Sequence, residues 1–226
     1  LDFSTPFDME SDLVMPRDRI PELCGPVCEK LDDAAQIRLG NAVTRWTLSN
    51  ILHGEQGALS LSTSLCDILH DPGAQEYAVN QAREEARHVT AFTRYIKLRW
   101  GTPYPVGAVL GDLLDDLVTT PVVYKKLVGM QMLLEGLAMG AFANLHAHTN
   151  DPLLKRLVKL VMTDEAFHHL STQCTETLKH LLSTLFSGGW SDFAKFQTIA
   201  RLQFLAKFHA LAQMAMVNAC DHDALL

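Results

Sequence analysis

The chain has 226 residues, of which 48% are hydrophobic, and carries a formal net charge of −7. That is enough apolar material for one sizeable core. The acidic balance, with Lys and Arg spread out rather than clustered, excludes nucleic acid and anionic membrane as expected partners. No run of 18 uninterrupted apolar residues occurs, so no membrane span is expected. The chain opens on Leu1, so its native start is expected upstream, which leaves room for a removed targeting segment. Five scattered cysteines (Cys24, Cys28, Cys66, Cys174, Cys220) suggest reduced thiols and a cytoplasmic location.

Residues 1–35, with Pro6, Pro16 and Pro21 and several acids near their start, are expected to form an arm lying on the body. The spacing of Leu39, Val43, Trp46, Ile51, Leu52 and Leu59 predicts a first helix from about Asp32 to Leu69. Asp71 suits an N-cap and Pro72 the first position of a second helix, which Gly101-Thr102-Pro103 ends after Trp100. Residues 104–120 form a connector with a short amphipathic piece, Val109–Leu114. A third helix is expected over Pro121–Thr149, a second turn at Asn150-Asp151-Pro152, and a fourth helix to about Leu185. Ser187-Gly188-Gly189 breaks it, and a fifth helix follows over Ser191–Ala219. No alternating strand pattern appears, so the class is all-α. The expected organisation is a single domain: the arm at 1–35, a bundle of two antiparallel hairpins at 36–185, and an additional helix in 186–226.

Three residues of metal-ligating type repeat at one offset. Glu55, Glu85 and His88 recur as Glu135, Glu165 and His168, each 80 positions later, and the Asp-Pro turn recurs with them. A carboxylate on one helix and Glu-x-x-His on the next, given twice, is the ligand set of a dinuclear site in a helix bundle. Glu55 precedes the first turn by about as many residues as Glu85 follows it. At about 1.5 Å of rise per residue the two return to one level of the hairpin. Glu135 and Glu165 do the same around residue 150. Four carboxylates in an apolar interior are costly unless cations neutralise them. Glu135 in particular has no charged neighbour within seven residues on either side. Oxygen and nitrogen ligands favour iron or manganese over zinc. Gly136, Ala138, Gly140 and Ala141 leave room beside Glu135. Asp164 is expected to orient His88 from across the bundle, Glu84 or a carbonyl to orient His168, and Arg87 to balance this charge. His169 is expected to be a bystander, His146 and His148 to be solvated, and His53 to face elsewhere.

Glu-Glu-Ala-Arg-His at 84–88 and Asp-Glu-Ala-Phe-His at 164–168, each with its upstream Glu, resemble the ferritin-like diiron-carboxylate superfamily. The oxygen-activating branch is nearest: desaturases, multicomponent monooxygenases, ribonucleotide reductase small subunits and aldehyde-deformylating oxygenases. The resemblance covers about residues 40–185. It implies a ferritin-like four-helix bundle, two iron ions (or manganese with iron) and dioxygen as co-substrate. Glu55, Glu85 and His88 would hold one ion, Glu135, Glu165 and His168 the other, with Glu85 and Glu165 as bridges. Departures are informative. Phe92 stands where the reductases place their radical tyrosine, leaving Tyr95 as the remaining candidate. Ala138 and Met139 replace an oxygen-handling threonine. Val161 stands where the arylamine oxygenases add a histidine. The expected function is a non-haem diiron oxygenase, of monooxygenase or desaturase type, oxidising a small or medium, partly hydrophobic substrate. Electrons would come from an external ferredoxin- or reductase-type donor, and a homodimer is allowed. The alternative is a ferritin-like iron oxidase or storage protein.

Overall fold

The structure is a computed structural model, which describes residues 1–26 and 28–170, except for the side chains of Tyr124, Met132, Leu133 and residues 166–170. The expected end of the fourth helix, the break at 187–189, the fifth helix, Cys174 and Cys220 lie outside the described residues, as do the side chains of His168 and His169.

Among the described residues the regular structure is all helical, with no strand. Helix α1 spans Asp33–Ile68, started by Asp32, whose side chain accepts from the amide of Ala35 at 2.7 Å. Helix α2 spans Pro72–Trp100; Asp71 caps it through the Ala74 amide at 2.8 Å, and Gly101, at φ 84°, ends it. The connector contains a full helix rather than a short amphipathic piece: α3 covers Ala108–Thr119. The third long helix differs more from expectation. It begins at α4, Val123–Lys126, widens into a π-helical segment over Leu127–Leu134, and resumes as α5, Glu135–His148. Helix α6 begins at Pro152 and is described to Leu170.

Helices α1 and α2 pair along their length, α5 pairs with α6, and α2 packs on α6. Helix α3 lies against α1 because two glycines leave it space. A side chain at Gly57 would meet Leu114 Cδ2 at 2.6 Å, and one at Gly129 would collide with Leu117. Two apolar clusters result. One joins Leu48 and Leu52, Phe92 and Ile96, Met139 and Phe142, and the inner face of α6. The other joins Ala58, Leu61 and Leu65 to Ala78, Leu114, Leu117 and Met130. On α1, α2 and the third long helix the residues between the two clusters include Glu55, Glu85 and Glu135.

The arm is strapped down by named bonds. Asn41 accepts from the amide of Val14 at 2.9 Å and donates to the carbonyls of Met9 and Asp12. The Val14 carbonyl accepts from the Asn150 amide and the Thr149 hydroxyl, both at 2.9 Å. Three short 3₁₀ turns follow, and the arm buries its own Val14, Met15, Ile20, Leu23 and Cys28 in the main apolar cluster. Cys24, Cys28 and Cys66 are free thiols.

By length and composition Leu127–His148 could cross a membrane, with a mean hydropathy of 1.2, although no single apolar run revealed this. The core helix of a bundle meets the same requirement. Its buried Glu135, facing carboxylates from other helices, fits a core position.

At the second turn Asp151 is fully buried. It accepts from the Tyr95 hydroxyl at 2.8 Å and from Arg99 through both oxygens, at 2.8 and 3.2 Å. It also caps α6 through the Leu153 amide. Burial and the neighbouring Asp151 carboxylate push the Tyr95 pKa well up, which keeps its proton on the phenol. Replacing Asp151 with Ala strands the buried Arg99 guanidinium. We expect a loss of about 3–5 kcal/mol, read from the denaturant midpoint.

Candidate metal centre

Helical periodicity puts Glu55 on α1, Glu85 and His88 one turn apart on α2, and Glu165 on α6, all pointing inward. Their ligand atoms lie within 4.8 Å of one another, and all four residues are buried. His88 Nδ1 sits 3.1 Å from Glu165 Oε1, 3.2 Å from Glu55 Oε2 and 3.5 Å from Glu85 Oε2. This nitrogen therefore faces three carboxylates, and a proton on it occupies the place a metal cation would take. The other nitrogen, Nε2, lies 3.2 Å from Asp164 Oδ2. Asp164 thus reaches His88 across the bundle. An N–H retained at Nε2 orients the ring and leaves Nδ1 as the metal-facing atom.

Arg87 completes this edge. Its guanidinium donates to Asp164 at 3.1 Å and lies 3.6 Å from Glu84, with about half of its side chain exposed. Glu84 therefore pairs with Arg87 on its own helix. Whether it also reaches His168 falls outside the described side chains. His53 bonds Gln56 and the Tyr104 carbonyl, away from the cluster, and His146 contacts the Lys155 carbonyl.

Glu135 opens α5 and is 5% exposed. Its Oε1 accepts from Gln81 Nε2 at 2.6 Å, whereas its Oε2 is buried and has no hydrogen-bond partner among the described residues. Burial, together with the charges of Glu165, Glu85 and Glu55, raises the Glu135 pKa well above the ordinary value. Glu55 is raised too, by burial first; the hydrogen bond with His88 opposes this, and the Glu85 and Glu165 charges add to it. For His88, burial acts to lower the pKa, but the carboxylates of Glu165, Glu55 and Glu85 overcome it and hold the pKa raised. Such a cluster can hold a metal ion. Its donor set of carboxylates and imidazole suits iron or manganese, and Glu135 Oε2, without a hydrogen-bond partner among the described residues, is a further candidate donor.

The cluster forms the floor of a cavity of about 680 Å³. Glu55, Glu85, Glu135 and Glu165 face it, and its walls are otherwise mostly apolar: Ile51, Ala58, Leu110, Met130, Leu134, Ala138 and Ala141 among them. Ala138 and Ala141 supply the room expected beside Glu135, whereas Gly140 is exposed on the outer face. The rim carries large exposed apolar side chains, Trp46, Val109, Leu113 and Leu137. On the opposite side, Arg87, His88, Thr90, Arg94 and Asp164 border a second depression.

Sequence patterning missed Gln81. It lies one turn before Glu85 on the same face, an i, i+4 spacing that could have marked it. Compared with known proteins, the chain matches no family model, no curated protein and no solved structure.

The raised pKa values have a stability consequence. Glu55 and Glu135 bind protons more tightly folded than unfolded, so their contribution is complete below their ordinary value of 4.5 and is lost as pH rises toward the raised values. His88 has the same sign, with its contribution complete below its ordinary value of 6.5. A bound cation replaces these protons. The stabilisation by manganese or ferrous ion, read as the shift in melting temperature against chelator-treated protein, should therefore be larger at about pH 8 than at about pH 6.

Proposed function

We propose that this chain is a non-haem diiron oxygenase built on a ferritin-like bundle, oxidising a small or medium, largely apolar organic substrate with dioxygen. The observation that carries the proposal is the buried carboxylate–histidine cluster forming the floor of an apolar cavity. A charged floor beneath apolar walls suits a reaction in which the protein holds an unreactive carbon chain against a bound oxidant. Glu55, Glu85, His88 and Glu165 would hold one ion. Glu135, with Glu85, Glu165 and His168, would hold the second. When bound, the ions would supply the capacity to reduce dioxygen.

The chain's own residues have definable tasks in this reading. His88 would bind through Nδ1 and donate its Nε2–H to Asp164, and Arg87 holds Asp164 in place. The apolar walls exclude water and orient the substrate over Glu135. Two electrons come from the substrate and two from an external ferredoxin- or reductase-type donor. The Arg87–Asp164–His88 path reaches the surface at the depression opposite the cavity, which is where such a donor would dock. A second copy of the chain as partner and a cytoplasmic setting belong to the same proposal. Iron storage fits less well. Ferrous ion would have to pass a rim of Trp46, Val109, Leu113 and Leu137 to reach the carboxylates through this cavity.

The decisive experiment loads the protein anaerobically with ferrous iron and then admits oxygen. About two irons per chain, with oxygen uptake that depends on an added apolar compound, is the expected outcome. Uptake that depends on iron alone, by a 24-subunit shell, would favour storage. Glu135→Ala should bring bound metal well below two per chain. Ala138→Phe should keep the metal but cut substrate-dependent uptake by about tenfold or more, because the ring fills the space above Glu135. Asp164→Asn should retain most of the metal while slowing turnover by about ten- to a hundredfold.

A further inference from the structure

One chain of amides ends on the cluster and has no part in the reading above. Tyr77 donates its hydroxyl to Gln131 Oε1 at 3.4 Å. Gln131 Nε2 donates to Gln81 Oε1 at 2.8 Å, and Gln81 Nε2 donates to Glu135 Oε1 at 2.6 Å. Every donor points toward the carboxylate. The order fixes each amide's orientation, because flipping Gln81 would set its oxygen against Glu135 and its NH₂ against the Gln131 NH₂. Gln81 is 1% exposed. The same NH₂ lies 3.4 Å from Glu85 Oε1.

Gln131 belongs to the π-helical segment and Glu135 immediately follows it. Four residues apart, the two share one helix face, from which Gln131 reaches Gln81 Oε1 and Glu135 reaches Gln81 Nε2. The two oxygens of Glu135 are then unequal. Oε1 is held by a short hydrogen bond, and Oε2 is buried with no hydrogen-bond partner among the described residues.

We propose that Gln81 is a positioning residue that commits Glu135 to bind a metal ion through Oε2 alone, and so keeps one coordination position of that ion open toward the apolar cavity. A carboxylate free to rotate would offer both oxygens and fill that position itself. Gln81 stops it by occupying Oε1, and Gln131 holds Gln81 in the orientation that does so. The inference rests on the metal-centre reading and says how that centre stays accessible to a small ligand.

The test uses the full chain loaded with cobalt(II), with azide as the probe ligand. The readouts are metal content, the cobalt visible spectrum and azide affinity, none of which needs turnover. Wild-type protein should bind cobalt and show an azide-dependent change in its spectrum. Gln81→Leu should keep its cobalt but bind azide about ten- to a hundredfold more weakly, the scale of one hydrogen bond to a charged group. Gln81→Asn should restore part of the affinity if its shorter amide still reaches Oε1. Gln131→Leu leaves Gln81 in place but free to flip, and should weaken azide by a smaller factor. It also decides the question should Gln81→Leu not fold. Wild-type azide affinity and an unchanged cobalt spectrum in these variants would overturn the inference and leave the metal centre standing. Loss of cobalt from a folded Gln81→Leu would also overturn it, by making Gln81 a determinant of metal affinity instead. Failure of wild-type protein to bind cobalt would remove the metal centre itself, and this inference with it.

Discussion

Three carboxylates, Glu55, Glu85 and Glu165, meet around the His88 imidazole, with the buried Glu135 beside them in the layer between two apolar clusters, and the rest of the fold is organised by that fact. Buried charges are tolerated only when paired or neutralised. In the metal-free protein the neutralising agents are protons, held by raised pKa values on Glu55, Glu135 and His88. Each long helix must therefore reach the layer at one level, which the two Asp-Pro turns ensure. The same layer is open on one side because α3 stands off it, seated on Gly57 and Gly129.

Much of this was legible in the chain. The 80-residue offset works as a signal because helices have a fixed rise, so equal distances from a turn mean equal heights. Asp71 and Asp151 are readable as caps because their short side chains reach amides two or three residues on. Asp164 was legible as the partner of His88 because ligating histidines need an acceptor on the far nitrogen, and Asp164 adjoins an inward-facing Glu on the neighbouring helix. His168 stands outside what the described side chains can address.

Other features left weaker traces. A hydrophobic period of 3.6 cannot announce a π-helical segment, since residues 127–134 are apolar on nearly every side and carry no phase. Helix α3 reads as a connector because its Gly111 and three aspartates dilute the pattern, although the Leu114 and Leu117 face is what packs on the glycines. Gln81 is invisible for a chemical reason. Glutamine is as much at home on a wet helix face as in a core, and only the three-dimensional meeting with Glu135 and Gln131 gives it a role.

The strap between Val14 and residues 149–150 bears on how the chain folds in time. It joins positions 135 residues apart in sequence. Closing so long a loop is entropically slow unless the intervening chain is already compact. The two helix hairpins, whose contacts are local, can form first. The N-terminal arm can only clasp the turn at residues 149–151 once α1 and α6 are in place. It acts as a late latch, so the earliest residues are among the last to settle.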